Sequence, residues 1–148
     1  MGEAQWFQPT VRNRLSQAVV LANFIIKYGK FYDISEYLHY ILLLFIDESL
    51  DDPYNETVSA QGTKITSKEQ FEWGHSGREN SPSGTEGIFE IHLDGSGEKV
   101  AEIYWDCPWS GSNKIEKRFV KEGYLVSVDG FSIPSGALDK GTISILED

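Results

Sequence analysis

The sequence predicts a mainly β protein, a single-domain β-sandwich over residues 1–148 with one short apolar insert, and three observations carry that prediction. Apolar and polar residues alternate over short runs, as in Phe89, Ile91 and Leu93 set against Glu90 and His92. A period of two puts one face of a strand in a core and the other in water. Gly, Pro, Asn and Asp interrupt the chain at close intervals, so the strands are short and joined by turns. A chain of 148 residues can also bury a core without disulfides or metals. This is the pattern of two packed sheets.

The elements follow in order. Residues 5–13 read as an edge strand broken at Pro9, because proline cannot donate to a sheet ladder. Residues 19–28 are apolar enough for a buried strand. The alternating run ending at Leu93 meets Asp94-Gly95, a hairpin signal, so residues 99–105 read as the return strand. A second pair is expected from residues 124–128 and 142–146, with Asp129-Gly130 and Pro134-Ser135-Gly136 as turns between them. The exception is residues 34–50, which hold Tyr37, Leu38 and the unbroken apolar run 41–46. Asp33 with Glu36 three residues on makes a capping box, so a short helix can open there. The segment reads either as a helix or strand buried on the sandwich or as a contact surface for a partner or membrane. It is too short for a bilayer span, which needs about 20 apolar residues.

Composition narrows the function. The net charge of −10 argues against nucleic acid, which calls for a basic stripe. It argues equally against recruitment by anionic lipid, which calls for clustered Lys or Arg. A zwitterionic surface stays compatible. The single cysteine, Cys107, excludes an intrachain disulfide and a multi-thiolate zinc site. No basic-then-apolar leader opens the chain, so it reads as leaderless.

Catalysis finds little support, and no cofactor or metal is expected. His39, His75 and His92 are scattered, without the His-Glu-x-x-His spacing of a zinc site. His75, near Trp73 and Arg78, reads as a solvent-exposed loop histidine. Gly74, Gly77, Gly84 and Gly87 punctuate a loop without the order or following helix of a phosphate cradle. Cys107 reads as a packed thiol rather than a nucleophile. Asn55-Glu56-Thr57 fits a glycosylation sequon but is discounted without a leader.

Binding finds more. The run Tyr104-Trp105-Asp106-Cys107-Pro108-Trp109 is followed by Ser110-Gly111-Ser112-Asn113, the end of a strand delivering Trp109 to a loop. Trp6, Tyr28, Tyr104, Trp105 and Trp109 form an aromatic set, with Asp106 and Lys114 supplying opposite charges. An ammonium over an indole face gains about 0.5–2 kcal/mol, and a lysine contacts a phosphate as a point charge. Such a set suits a phosphocholine or phosphoethanolamine head group. Interfacial Trp and Tyr also suit the lipid–water boundary. Alternation of Tyr104 and Trp105 sends one of them to the core. Trp105 and Trp109 are expected at the surface.

These residues resemble the aegerolysins, small β-sandwich proteins of fungi and bacteria. Beside the Tyr-Trp-Asp-Cys-Pro-Trp run, Ala4-Gln5-Trp6, Gly29-Lys30-Phe31, Gly77-Arg78 with residues 83–89, and Ser135-Gly136-Ala137-Leu138 fall in the family's order. The resemblance covers nearly the whole chain outside residues 34–54. It implies binding to membranes containing sphingomyelin or ceramide phosphoethanolamine through an aromatic head-group pocket. It also implies a larger perforin-like partner in a binary pore-forming, cytolytic or insecticidal system, acting outside the producing cell. Trp6 and Trp109 fall at family tryptophan positions tied to lipid contact, and Lys114 approximates a family lysine. Tyr28 stands where the family has tryptophan, Ser76 where many relatives have cysteine, and Ser83 where a cholesterol-dependent relative has glutamate. The rival reading is a soluble module docking a protein through its apolar insert, without lipid. A hydrolase using Cys107 or a carboxylate pair ranks third.

Overall fold

A computed structural model describes residues 5–32, 59–77 and 83–148; the insert at 34–50, its capping box, the sequon and Arg78 lie outside the described residues. All the regular structure described is strand, arranged as two facing sheets in a β-sandwich. In chain order the strands are β1 (Trp6–Asn13), β2 (Val19–Tyr28), β3 (Lys30–Tyr32), β4 (Lys64–Ile65), β5 (Gln70–Glu72) and β6 (Gly74–Ser76). They continue as β7 (Thr85–Leu93), β8 (Lys99–Cys107), β9 (Lys114–Val120), β10 (Tyr124–Asp129) and β11 (Asp139–Glu147). One sheet runs β10-β11-β1-β6-β3 with β5 also on β1; the other runs β4-β2-β7-β8-β9.

Both expected hairpins form. Strands β7 and β8 pair antiparallel, and β10 pairs antiparallel with β11 from Tyr124↔Glu147 to Asp129↔Thr142. The β7–β8 turn differs in detail from the sequence expectation. Gly97, not Gly95, takes the left-handed conformation (φ 73), and Leu93 closes the loop by pairing with Glu98. The loop is therefore longer than a two-residue turn, which resets the register of the hairpin.

Strand β1 is not an edge. It lies between β11, which it pairs in parallel, and the β5 and β6 pieces. Pro9 is tolerated because its missing donor falls where those two short strands separate. Only its carbonyl is used there, accepting the Trp73 amide at 3.2 Å. Strand β2 is buried only in its first half. Asn23 adopts φ 52 and the register slips between Ala22 and Ile25. This bulge moves the inward positions from Val19 and Leu21 to Phe24 and Ile26, leaving Ile25 66% exposed.

The core is aromatic where the sheets meet beneath the end of β8. Trp105 is fully buried, stacked on Phe7 at 5.1 Å and 4.3 Å from the His75 ring, with its indole N–H donating to Thr85 Oγ1 at 3.1 Å. The expected exposure of Trp105 is thus corrected. Strand alternation turns Tyr104 and Asp106 outward, so Trp105 must point in. Gly87 makes room for it, since a Cβ there would stand 2.6 Å from the indole. His75 is likewise no exposed loop histidine. It sits on β6 with no exposure, and its Nε2 accepts the Trp73 indole N–H at 2.7 Å. Gly74 and Gly87 also belong to strands rather than to a loop.

Candidate functional site

The outer face of the β4-β2-β7-β8-β9 sheet carries a row of side chains set by register alone. Tyr28 pairs with Glu86, Glu86 with Asp106, and Asp106 with Lys114, so four strands bring these residues into one line. At that end of the sheet a cleft of about 410 Å³ opens, lined by Tyr28, Ser83, Gly84, Thr85, Glu86, Asp106, Cys107, Pro108 and Trp109. Tyr28 and Trp109 are 57% and 47% exposed, two large aromatics presented to solvent across one opening. The Trp109 loop is held from below, because the Gln5 side-chain amide donates to the Trp109 carbonyl at 2.9 Å. Gly84 lets the opposite wall approach, since a Cβ there would meet the Cys107 carbonyl at 2.2 Å.

The electrostatics are those of a cation site. Glu86 and Asp106 face one another across adjacent strands, a like-charge pair that is unfavourable unless a positive charge joins it. Burial, and then the Glu86 carboxylate, pushes the Asp106 carboxyl above its ordinary range, against the pull of Lys114 and Lys27. Two carboxylates beneath two exposed aromatic faces can hold an ammonium by charge and by cation–π attraction.

A second groove, also about 410 Å³, adjoins the cleft along the same face. Ile25, Lys27, Glu86, Gly87, Ile88, Tyr104 and Arg118 line it, so Glu86 is common to both. The Tyr104 hydroxyl donates to Glu86 Oε2 at 2.6 Å, and the Arg118 guanidinium lies 3.7 Å from the Tyr104 ring centroid. Burial and this bond to Glu86 push the Tyr104 phenol upward, keeping it a donor.

Of the residues expected from sequence, Tyr28, Asp106 and Trp109 meet in the cleft, and Lys114 stands one strand beyond Asp106. Tyr104 faces the adjoining groove, and Trp105 belongs to the core. Trp6, half-buried at the start of β1, lines neither opening; its neighbour Gln5 braces the Trp109 loop. Sequence reasoning missed Glu86, Lys27 and Arg118. The motif 83–89 contained Glu86, but nothing local could say that it would face Asp106. Cys107 Sγ lies 3.4 Å from both Gln5 Oε1 and the Gly136 carbonyl, and burial pushes its thiol up to about 11, which fits a packed thiol.

An aegerolysin family model matches residues 45–148. Aegerolysin Aa-Pri1 of Cyclocybe aegerita is 30% identical over 145 residues, covering 97% of this chain and 90% of that protein. The chain belongs to the aegerolysin family. Among solved structures, IP-1A from Alcaligenes faecalis is 31% identical with a TM-score of 0.72, over 99% of this chain and 94% of its own. RahU, crystallised in complex with a TRIS molecule, shares the fold with a TM-score of 0.79 at 19% identity, over 99% and 97% of the two chains. Membership supports a lipid-binding, toxin-associated role in general, within a family of non-enzymatic lipid-binding proteins.

Proposed function

We propose that this aegerolysin binds the zwitterionic head group of a membrane sphingolipid, sphingomyelin or ceramide phosphoethanolamine, through the Tyr28–Trp109 cleft. The observation that carries the reading is the pairing of two exposed aromatics with the facing carboxylates Glu86 and Asp106. The ammonium end of the head group sits over the aromatic faces and neutralises the carboxylate pair. Tyr28 and Trp109 are also exposed side chains of the types that favour a membrane interface. A chain of net charge −10 is suited to a neutral lipid surface rather than an anionic one.

In this reading the protein is released and acts at the surface of a target cell. It is the recognition half of a binary cytolytic or insecticidal system, with a larger perforin-like protein as the pore former. No described helix is long and apolar enough to cross a membrane. The longer described strands are tied into the two sheets by ladders on at least one side. Crossing as a barrel would require strands of about 9–11 residues to leave them.

Sedimentation with liposomes across a lipid panel tests the reading. Pelleting is expected with sphingolipid vesicles and not with glycerolipid vesicles of the same charge. Absence of any lipid-dependent pelleting would favour a protein-docking module instead. The purified chain is also expected to bind without releasing an entrapped dye until the partner is added. Efficient release by the chain alone would overturn the division of labour.

A further inference from the structure

Resting on the ammonium reading of the cleft, we propose that Lys27 takes the phosphate of the same head group, by splitting an ion pair that the free protein makes with itself. Ile26 pairs with Gly87 and Tyr28 with Glu86, so Lys27 is the extra residue of a bulge with no partner of its own in the register. The bulge places its ammonium 3.7 Å from Glu86 Oε2 and 5.9 Å from the Tyr28 ring centroid, at the boundary between cleft and groove. Lys27 is the one cation in ion-pair contact with a cleft carboxylate among the described residues. Lys114, the basic residue of the row itself, stands beyond Asp106, about 10 Å from Glu86 at the usual strand spacing.

The two members of this pair are not equivalent. The Glu86 side chain is 14% exposed and anchored by the Tyr104 hydroxyl at 2.6 Å, itself held under Arg118. The Lys27 side chain is 64% exposed, on a long stem free to turn. Glu86 is therefore the fixed charge and Lys27 the movable one. A ligand ammonium entering among Tyr28, Trp109, Glu86 and Asp106 supplies the counter-charge that Lys27 otherwise provides. Lys27 is then released beside the position of a phosphate that follows the ammonium by a two-carbon linker. One internal ion pair becomes two across the interface, and a zwitterion brings no net charge to the two sites taken together.

Titration calorimetry with soluble fragments separates this inference from the reading beneath it. The ligands are ethanolamine and glycerophosphoethanolamine, with choline and glycerophosphocholine as the second pair. Lys27→Gln should weaken the phosphodiester of each pair about tenfold, the scale of one lost charge-assisted contact. It should leave the bare ammonium unchanged or tighter, since Glu86 is then unpaired. Lys27→Arg should restore the preference for the phosphodiester, and Lys140→Gln, on β11 of the other sheet, should retain it. If Lys27→Gln weakens ammonium and phosphodiester alike, or neither, the inference fails while the head-group reading stands. If the wild type binds neither fragment of either pair, both fail together.

Discussion

Trp105 and Trp109 are four residues apart in one aromatic run, and they do opposite work. Trp105 is fully buried and packed on Phe7 and His75, with its N–H satisfied by Thr85. Trp109, just past the end of β8, is 47% exposed at the mouth of a cleft lined by two carboxylates. The difference is positional rather than chemical. Within the strand, alternation fixes which ring goes inward. Past the strand, Pro108 and the short loop end that constraint, and the indole is left for a ligand.

The largest effect should come from the buried ring. Trp105→Ala is expected to cost about 3–5 kcal/mol of stability by urea denaturation, through lost burial and an uncollapsed cavity. A loss under about 1 kcal/mol would mean the indole is not the packing centre described.

The histidine beneath it extends the contrast to pH. Burial lowers the His75 pKa from 6.5 to about 3, so the fold holds it neutral. Above pH 6.5 neither state takes a proton and its contribution is complete. As pH falls from there towards 3 the unfolded chain binds a proton that the fold refuses, and stability drops by about 1.4 kcal/mol per pH step. Below about 3 both states are protonated and this slope ends. His75→Gln should flatten that part of the profile; an unchanged slope would show that other groups set it.

At the exposed tryptophan the effect should move from stability to binding. Trp109→Ala is expected to weaken sphingolipid liposome binding by about 1–2 kcal/mol, with the urea midpoint unchanged. Unfolding without loss of specific binding would make the two tryptophans alike and remove the contrast. The smallest effect is expected at Ile25, turned out by the Asn23 bulge: Ile25→Thr should shift stability by no more than about 0.5 kcal/mol. A cost of a core substitution would show that β2 keeps its inward face to the end.

Much of the molecule was legible in order along the chain. Alternation in residues 89–93 marked one strand, and the Asp94-Gly95 and Asp129-Gly130 signals marked both hairpins. The aromatic run and its small-residue loop placed Trp109, Asp106 and, with Tyr28, the cleft. These are local properties: side-chain period, turn preference and the cost of exposing indoles are set by near neighbours.

What the tertiary structure alone decided involves register and distant pairing. A two-residue turn at Asp94-Gly95 would have set Glu86 opposite Ile103; the longer loop shifts the register by two, and the bulge between Ile91 and His92 by one more, setting Glu86 opposite Asp106 and making the acidic pair of the cleft. One left-handed residue, Asn23, turned Ile25 outward. Strand β1 read as an edge because Pro9 cannot donate to a ladder; its partner β11 comes from the other end of the chain, and Pro9 is tolerable only where β5 and β6 part. His75 read as exposed because its place among the Phe7, Phe31 and Trp105 rings comes from strands brought together by folding. The sequence could determine the apolar face of an unbroken alternating run such as residues 89–93, since that depends on a fixed period of two. It could not determine which residues face each other, because pairing register depends on loop lengths, bulges and the packing of segments far apart in the chain.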